Sequence, residues 1–498
     1  MNLKTFQSVY LSFLFVFAGI LSVSGTIALR NVLHAVLLVV LFGYMWFEAR
    51  KNTGSMVQLA FAVPLSVWLW CAYLLLFPLI APDGAGALSN LLGKGMWGES
   101  VLTWLLAWGS FLILGAERLS LWRLALVSAV PVFIHLALTA LAWGGVLQPA
   151  FYEDPSLQQA GQSLLAVLTD FSQIKNASHA FPMGFRGIEP MHGNLGYPAS
   201  QAMCLSLAVM FAAWVQADRG LAIRAGVLVS LCFVSVVIAQ SRAAAYFGLL
   251  ILVMSCLIYG IFIRNHHAYA RGIRLKLGRS VGYLMLGIGV LCLVFFWKVV
   301  SHNQVWYSMW DKMAIGFQVE APKDVLCNGL TSLEADSLHQ KNADKDDEYM
   351  SILLTNGFQG DGGRVLLARV GAELSTSYLW GWNGGRDAYQ HRIAQLCGHV
   401  PVMDFSHAHN AWINLILALG WAGAILYAWV FFNFSKLGWG ALRTKEKWPA
   451  AMALLLLSVF WLLRGMTDAV YQEHYLQMQA FFLMVLVLQI RSGKPAFE

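Results

Sequence analysis

Two histidines and a small set of arginines are the residues of this chain best suited to chemistry. His407 and His409 lie in Asp404-Phe-Ser-His-Ala-His-Asn-Ala-Trp-Ile413, a polar cluster that runs straight into an apolar segment from Ala411 to Phe432. That segment has about the 20 residues a membrane span requires. Ser406 or Asp404 is placed to cap a helix there, which would leave His409 in its first turn. A helix N-terminus attracts anions and disfavours imidazolium, so a histidine at this position is suited to take a proton. Gly420 and Gly423 fall close to the stripe of His409 on such a helix, where small residues let a neighbouring helix approach.

The arginines point to anion binding. Arg242, in Ala239-Gln-Ser-Arg-Ala-Ala-Ala-Tyr246, sits at a tight connection between two apolar runs. It either snorkels to headgroups or presents a fork that clamps phosphate oxygens. Arg186 lies in the glycine-rich stretch Phe181 to Gly196, whose backbone can come near an anion, although a plain surface loop fits as well. Arg464 and Asp468 are four apart and either pair on a helix surface or position His409. Arg386 follows Trp380-Gly-Trp-Asn-Gly-Gly385, a flexible aromatic stretch that could form a platform for a sugar or a lipid phosphate. Arg364, Arg369 and Arg392 share its long polar segment and are expected to be solvated loop charges. Two histidines do not complete a zinc site, and HExxH, CxxC and Walker A patterns are all missing. The expectation is a metal-free mechanism without cofactor, in which arginines neutralise charge.

The elements that must hold these residues are membrane helices. The 498-residue chain is 58% hydrophobic and 12% charged, where globular chains average about 25% charged. Apolar runs at about 8–29, 31–47, 56–81, 99–115, 121–145, 196–216, 222–240, 243–263, 281–300, 410–433, 449–463 and 473–490 give twelve candidate spans. With both termini cytoplasmic, the inner connections hold 18 lysines and arginines, against Arg30, Lys94, Arg242 and Arg464 in the short outer ones. The positive-inside rule therefore sets the orientation and explains much of the +7 net charge without nucleic acid.

The expected organisation is helices 1–9 within 1–300, including an outer loop at about 146–195, then a large outer subdomain at 301–408, then helices 10–12 within 409–498. In the subdomain, Asp324 to Asp347 looks like a mobile surface loop. The stretch from Arg364 to Leu374 looks like an amphipathic helix lying on the membrane face. Cys327 and Cys397 are the two cysteines outside the apolar runs and can pair if this segment faces an oxidising compartment.

His409-Asn410, nine residues, then Gly420-Trp-Ala-Gly423 matches an H[NSQ]x9GxxG pattern, and Ser241-Arg242 matches a serine-arginine at a span junction. With twelve candidate spans and a large loop before the histidine helix, the chain resembles the O-antigen ligase branch of the O-antigen ligase/polymerase superfamily. Ala424 departs from the threonine or glutamine of many ligases. The resemblance implies a GT-C-like all-α membrane fold that needs neither metal nor nucleotide. It implies transfer of a glycan from undecaprenyl diphosphate to lipid A–core at the periplasmic face of a Gram-negative inner membrane. His409 would then be the general base and Arg242 and Arg186 the diphosphate clamp, with His407, Asn410, Arg386, Arg464 and Asp468 in support. A Wzy-type polymerase or a protein O-oligosaccharyltransferase would use the same donor. A transporter would instead place ionisable groups near span centres, as His34 and His135 could be.

Overall fold

The computed structural model describes residues 3–23, 25–51, 53–94, 97–143, 194–239, 241–265, 289–290, 304–358, 360–471 and 474–492. Every regular element among them is helical. Eight of these helices are long and apolar enough to cross a membrane, or ten if each of two bent pairs is one span. The chain is therefore a multi-pass membrane protein. The expected span at 281–300, except for Gly289 and Val290, and the expected outer loop at about 146–195, except for Asn194 and Leu195, lie outside the described residues.

Two expected spans are not straight. The run at 56–81 bends by 92° between Met56–Ala62 and Leu65–Leu79, at Pro64 (ψ 137°). Proline supplies no N–H and pushes the preceding residue out of the helical region. The run at 121–145 bends by 44° between Leu121–Ser128 and Val130–Leu141.

The Gly196–Val215 helix is the centre of the bundle, with all 20 residues buried. It packs on Leu121–Ser128, Arg219–Ile238, Arg242–Asn265 and Trp448–Arg464. Its alanines, serines and Gly196 let these neighbours close around it. The His474–Ser492 helix packs chiefly on Trp97–Arg118.

The expected outer subdomain is more ordered than its composition implies. Within 324–347, Pro322–Asn328 and Ser332–Lys341 are helices, the latter capped by Thr331 Oγ1, which accepts from Glu334 N at 3.3 Å. Lys345 then pairs with Asp311 at 2.5 Å, so the expected mobile loop is replaced by capped, ion-paired structure. The predicted amphipathic helix forms as Asp361–Ser377. Its apolar face is covered by protein, however, chiefly by the Gln304–Gln318 helix and the head of the Ala411–Ala441 helix. The interior offers it more apolar surface than the membrane face would. Nor are Arg369 and Arg392 solvated: Arg369 donates to Gly316, Phe317 and Val319 carbonyls at 3.0, 3.2 and 2.8 Å. Arg392 lies between Tyr378 and Trp382, its guanidinium 3.8 and 4.6 Å from their ring centres. Cys327 and Cys397 form a disulfide.

The helix that follows the histidines runs from Ala411 to Ala441 and is broken at Gly420, where φ is 77° and ψ 173°. The glycine therefore does not serve the smooth packing stripe expected of it. At the break, Ala418 O accepts from Trp382 N and Gly384 N at 3.1 and 2.9 Å, and Trp421 N donates to Leu379 O at 3.0 Å. Tyr73 Oη donates to Leu419 O at 2.5 Å. Gly381 (φ 74°) crosses Gly420 at backbone distance, and a Cβ on either would meet the other segment. Gly423 leaves room for the Tyr73 ring. Gly420→Ala should destabilise the protein by about 2 kcal/mol or more, from the left-handed strain and the collision with Leu379 and Trp380. Thermal unfolding of the purified protein measures this, and an unchanged midpoint would show the break to be dispensable.

Candidate functional site

The local backbone around the histidines differs from a simple helix start. Asn410, not Ser406 or Asp404, is the cap: its Oδ1 accepts from Trp412 N and Ile413 N at 3.0 and 3.1 Å. His409 stands one residue outside the helix with φ 49°. Asp404 is exposed and accepts from Gln390 Nε2 at 2.6 Å. Asn410 Nδ2 also donates to Met466 O at 3.2 Å, and Ala411 N donates to Gly465 O at 2.7 Å. The helix start is thereby fastened to the 464–468 turn, which brings Asp468 to His409.

Asp468 is the point where the groups converge. Its Oδ1 lies 3.7 Å from His409 Nδ1, within ion-pair reach, and accepts from Ala469 N at 2.9 Å. Its Oδ2 accepts from Tyr197 Oη at 2.6 Å and from Arg464 Nη2 at 3.1 Å. The Arg464 guanidinium also lies 4.9 Å from the Tyr197 ring centre and donates to Thr467 Oγ1 at 2.9 Å. Arg464 and Asp468 thus pair as their spacing allows, in the interior and not on a helix surface. Burial alone would raise the Asp468 carboxyl. The adjoining His409, the Arg464 charge and the donors from Tyr197 and Ala469 outweigh it and hold the group well below the ordinary carboxylate range.

His407 faces His409 with ring centres 4.3 Å apart, and its Nδ1 lies 2.8 Å from Ser406 Oγ. Burial pushes it down to about 4, with the charges of His409, Arg386 and Arg364 adding to the effect and Asp468 opposing it. It is neutral at neutral pH.

Arg242 begins the Arg242–Asn265 helix, and its fork meets Asp361 at 2.7 and 3.1 Å. Arg364 stands 3.8 Å from the same carboxylate and is half exposed. Its charge acts on both His407 and Tyr197. Two guanidinium groups therefore share one acidic partner close to the histidines. Arg386 is exposed, and its charge also reaches His407. Arg186 lies outside the described residues.

Tyr197 and Asp361 were not singled out by sequence reasoning, and Arg364 was expected to be a solvated loop charge. Tyr197 gives no local signal, because it meets Asp468 only through packing of the Gly196–Val215 helix. Arg364 had one: Asp361-Gly-Gly-Arg364 places a carboxylate and an arginine three apart at a helix start.

His407, His409 and Asp468 offer ligand atoms all within 4.8 Å of one another, a set that can hold a metal ion. Sequence spacing concealed the third member. The Arg464 guanidinium already occupies Asp468 Oδ2 and would repel a cation there. No protein-family model matches the chain, and no curated protein matches it significantly.

Asp468 also sets an acid limit on stability. Its folded pKa lies below the unfolded one, so its contribution is complete above the unfolded value of about 3.9 and fades as the pH falls from there through the folded value. Asp468→Asn should lose about 3 kcal/mol at neutral pH by leaving buried Arg464 uncompensated, and its unfolding midpoint should fall less than that of the wild type on acidification. Thermal melts across the acid range measure both, and parallel pH curves would remove Asp468 from this role.

Proposed function

We propose that the chain is a glycosyltransferase of the O-antigen ligase type. It moves a glycan from undecaprenyl diphosphate to lipid A–core at the periplasmic face of a Gram-negative inner membrane. Both termini are cytoplasmic in this reading, and twelve spans form a GT-C-like fold. The observation that supports it best is the placing of His409 3.7 Å from the Asp468 carboxylate, together with two arginines that converge on Asp361, one of which, Arg364, acts through its charge on His407.

An acceptor hydroxyl is a poor nucleophile until its proton is removed. With His409 Nδ1 directed at Asp468, Nε2 is the nitrogen left to take that proton as the oxygen attacks the anomeric carbon. Asp468 then balances the imidazolium. The bond from the anomeric carbon to the diphosphate oxygen breaks, and the lipid diphosphate leaves with the electron pair. Arg242 and Arg364 oppose the charge that grows on it. Attack from the face opposite the leaving group inverts the anomeric centre. Asp404, turned to Gln390, is poorly placed to act as a nucleophile.

His34 lies 3.5 Å from Thr103 Oγ1 and stacks on Phe17, and His135 Nδ1 lies 3.1 Å from Ser235 Oγ. Local partners of this kind favour helix packing over a transport pathway. The Wzy-type polymerase and protein O-oligosaccharyltransferase readings differ only in acceptor. Purified protein given lipid-diphosphate glycan with lipid A–core, a second donor or a peptide separates the three.

His409→Ala should insert and fold normally yet lose transfer by at least about 100-fold, and normal transfer would remove the base assignment. Arg242→Lys should lose most activity, because a point charge cannot replace the fork that spans Asp361 and an incoming phosphate. Wild-type turnover would leave Arg242 an anchoring role only. Chelator treatment should leave transfer unchanged; loss restored by one divalent ion would instead make His407, His409 and Asp468 a metal centre.

A further inference from the structure

A second polar cluster at the same end of the bundle takes no part in the chemistry above. Arg30, 1% exposed near the head of the Ile27–Lys51 helix, donates through Nη1 to Leu21 O at 3.0 Å. Its Nε and Nη2 have no hydrogen-bond partner among the described residues. Its charge meets Glu99, in the first turn of the Trp97–Arg118 helix. Glu99 Oε2 accepts from Gln477 Nε2 at 2.9 Å, one turn from His474. That helix head and the Asn90–Lys94 turn before it moor the glycine loop: Trp97 Nε1 donates to Gly384 O at 2.6 Å, and Asn90 Nδ2 donates to Asn383 O at 3.0 Å.

Arg386 leaves that moored loop into solvent. Its charge reaches both His474 and His407, and the charge of Arg30 also reaches His474. Arg242 and Arg364 belong to other helices, Arg242–Asn265 and Asp361–Ser377.

The surface around the mooring is apolar. Leu79 is 80% exposed, Leu92 77% and Trp380 74%, and Ile80, Leu88 and Leu379 are exposed beside them. A basic side chain bordered by open apolar surface at the end of a membrane bundle complements an anionic amphiphile.

We propose that this face docks the acceptor: its acyl chains lie along Leu79, Leu88, Leu92 and Trp380, and a phosphate or carboxylate on its headgroup rests on Arg386, which turns the acceptor hydroxyl toward His409. The donor diphosphate then occupies the Arg242 and Arg364 side. This rests on the glycosyl-transfer reading, but binding can be measured without transfer.

Native mass spectrometry of the full-length protein in detergent, with a phosphorylated glycolipid, its carboxylated counterpart and a neutral one, tests it. Wild type should retain an anionic form at least tenfold better than the neutral one, and the comparison of phosphate with carboxylate identifies the group. Arg386→Ala should erase that preference, and Arg386→Lys should restore part of it. In transfer assays Arg386→Ala should raise the acceptor KM about tenfold and leave the donor KM unchanged. Equal retention of all three glycolipids, an unaltered Arg386→Ala variant, or a change in donor KM alone would overturn the proposal. So would disulfide-linked dimers formed readily through Leu92→Cys, which would show a second copy of the chain on this face. Selective binding with no transfer to any acceptor would sustain the docking surface and sink the transfer reading.

Discussion

A helix that crosses a membrane normally keeps its carbonyls to itself. The Ala411–Ala441 helix does not, because Gly420 turns its backbone out of the helical region and frees the carbonyls of Ala418 and Leu419. Unpaired carbonyls in an apolar setting are costly, so the break is tolerated only because Trp382, Gly384 and Tyr73 supply donors. The arrangement is reciprocal: the glycine loop satisfies the helix, and the helix fixes the loop that presents Arg386. The core of the outer subdomain continues through Ile413 and Leu417, so the turns above the break belong to that subdomain as much as to the membrane bundle.

Charge is arranged with similar economy. Two carboxylates, Asp361 and Asp468, organise Arg242, Arg364, Arg464 and His409. Each carboxylate is largely buried and holds more than one partner. A buried ion pair is not in itself strongly stabilising, but it fixes geometry, because any displacement leaves a charge uncompensated. Asp468 is held by Tyr197, Arg464 and its own following amide. Its orientation toward His409 is therefore set by two neighbours in its own turn and by Tyr197, which is remote in sequence.

What the sequence made legible follows from which signals are local. The membrane class, most apolar helices, the pairing of Arg464 with Asp468 and the prominence of His409 are carried by composition or by short spacings. The disulfide was left open because Cys327 and Cys397 are 70 residues apart, and spacing alone says nothing about whether they meet. Tyr197 was invisible because only tertiary packing brings it to Asp468. Gly420 was noticed for the wrong property: small size was read as a packing stripe, whereas the backbone uses its freedom at positive φ. The cap was misplaced for a related reason. Asn410 lies between the histidine and the apolar run, and with the left-handed turn at His409 it starts the helix several residues later than a cap at Ser406 or Asp404 would.

That turn depends on the segment that precedes it. A non-glycine residue at φ 49° costs about 1 kcal/mol or more and persists only where its flanks are fixed. On one side, Val402 N donates to Cys327 O and Met403 N to Leu326 O, beside the disulfide to Cys397. On the other, Asn410 caps the helix and Ala411 is fastened to Gly465, while Ala408 N donates to Asn414 Oδ1 at 3.0 Å. The segment from Asp404 to His409 is suspended between those two anchors. Its imidazoles project from a strained bridge and not from a regular helix, which lets His409 face Asp468 while its other nitrogen stays available. A helical first turn would have satisfied the backbone more cheaply, but it would have fixed the imidazole direction by helix geometry instead of by the carboxylate it must face.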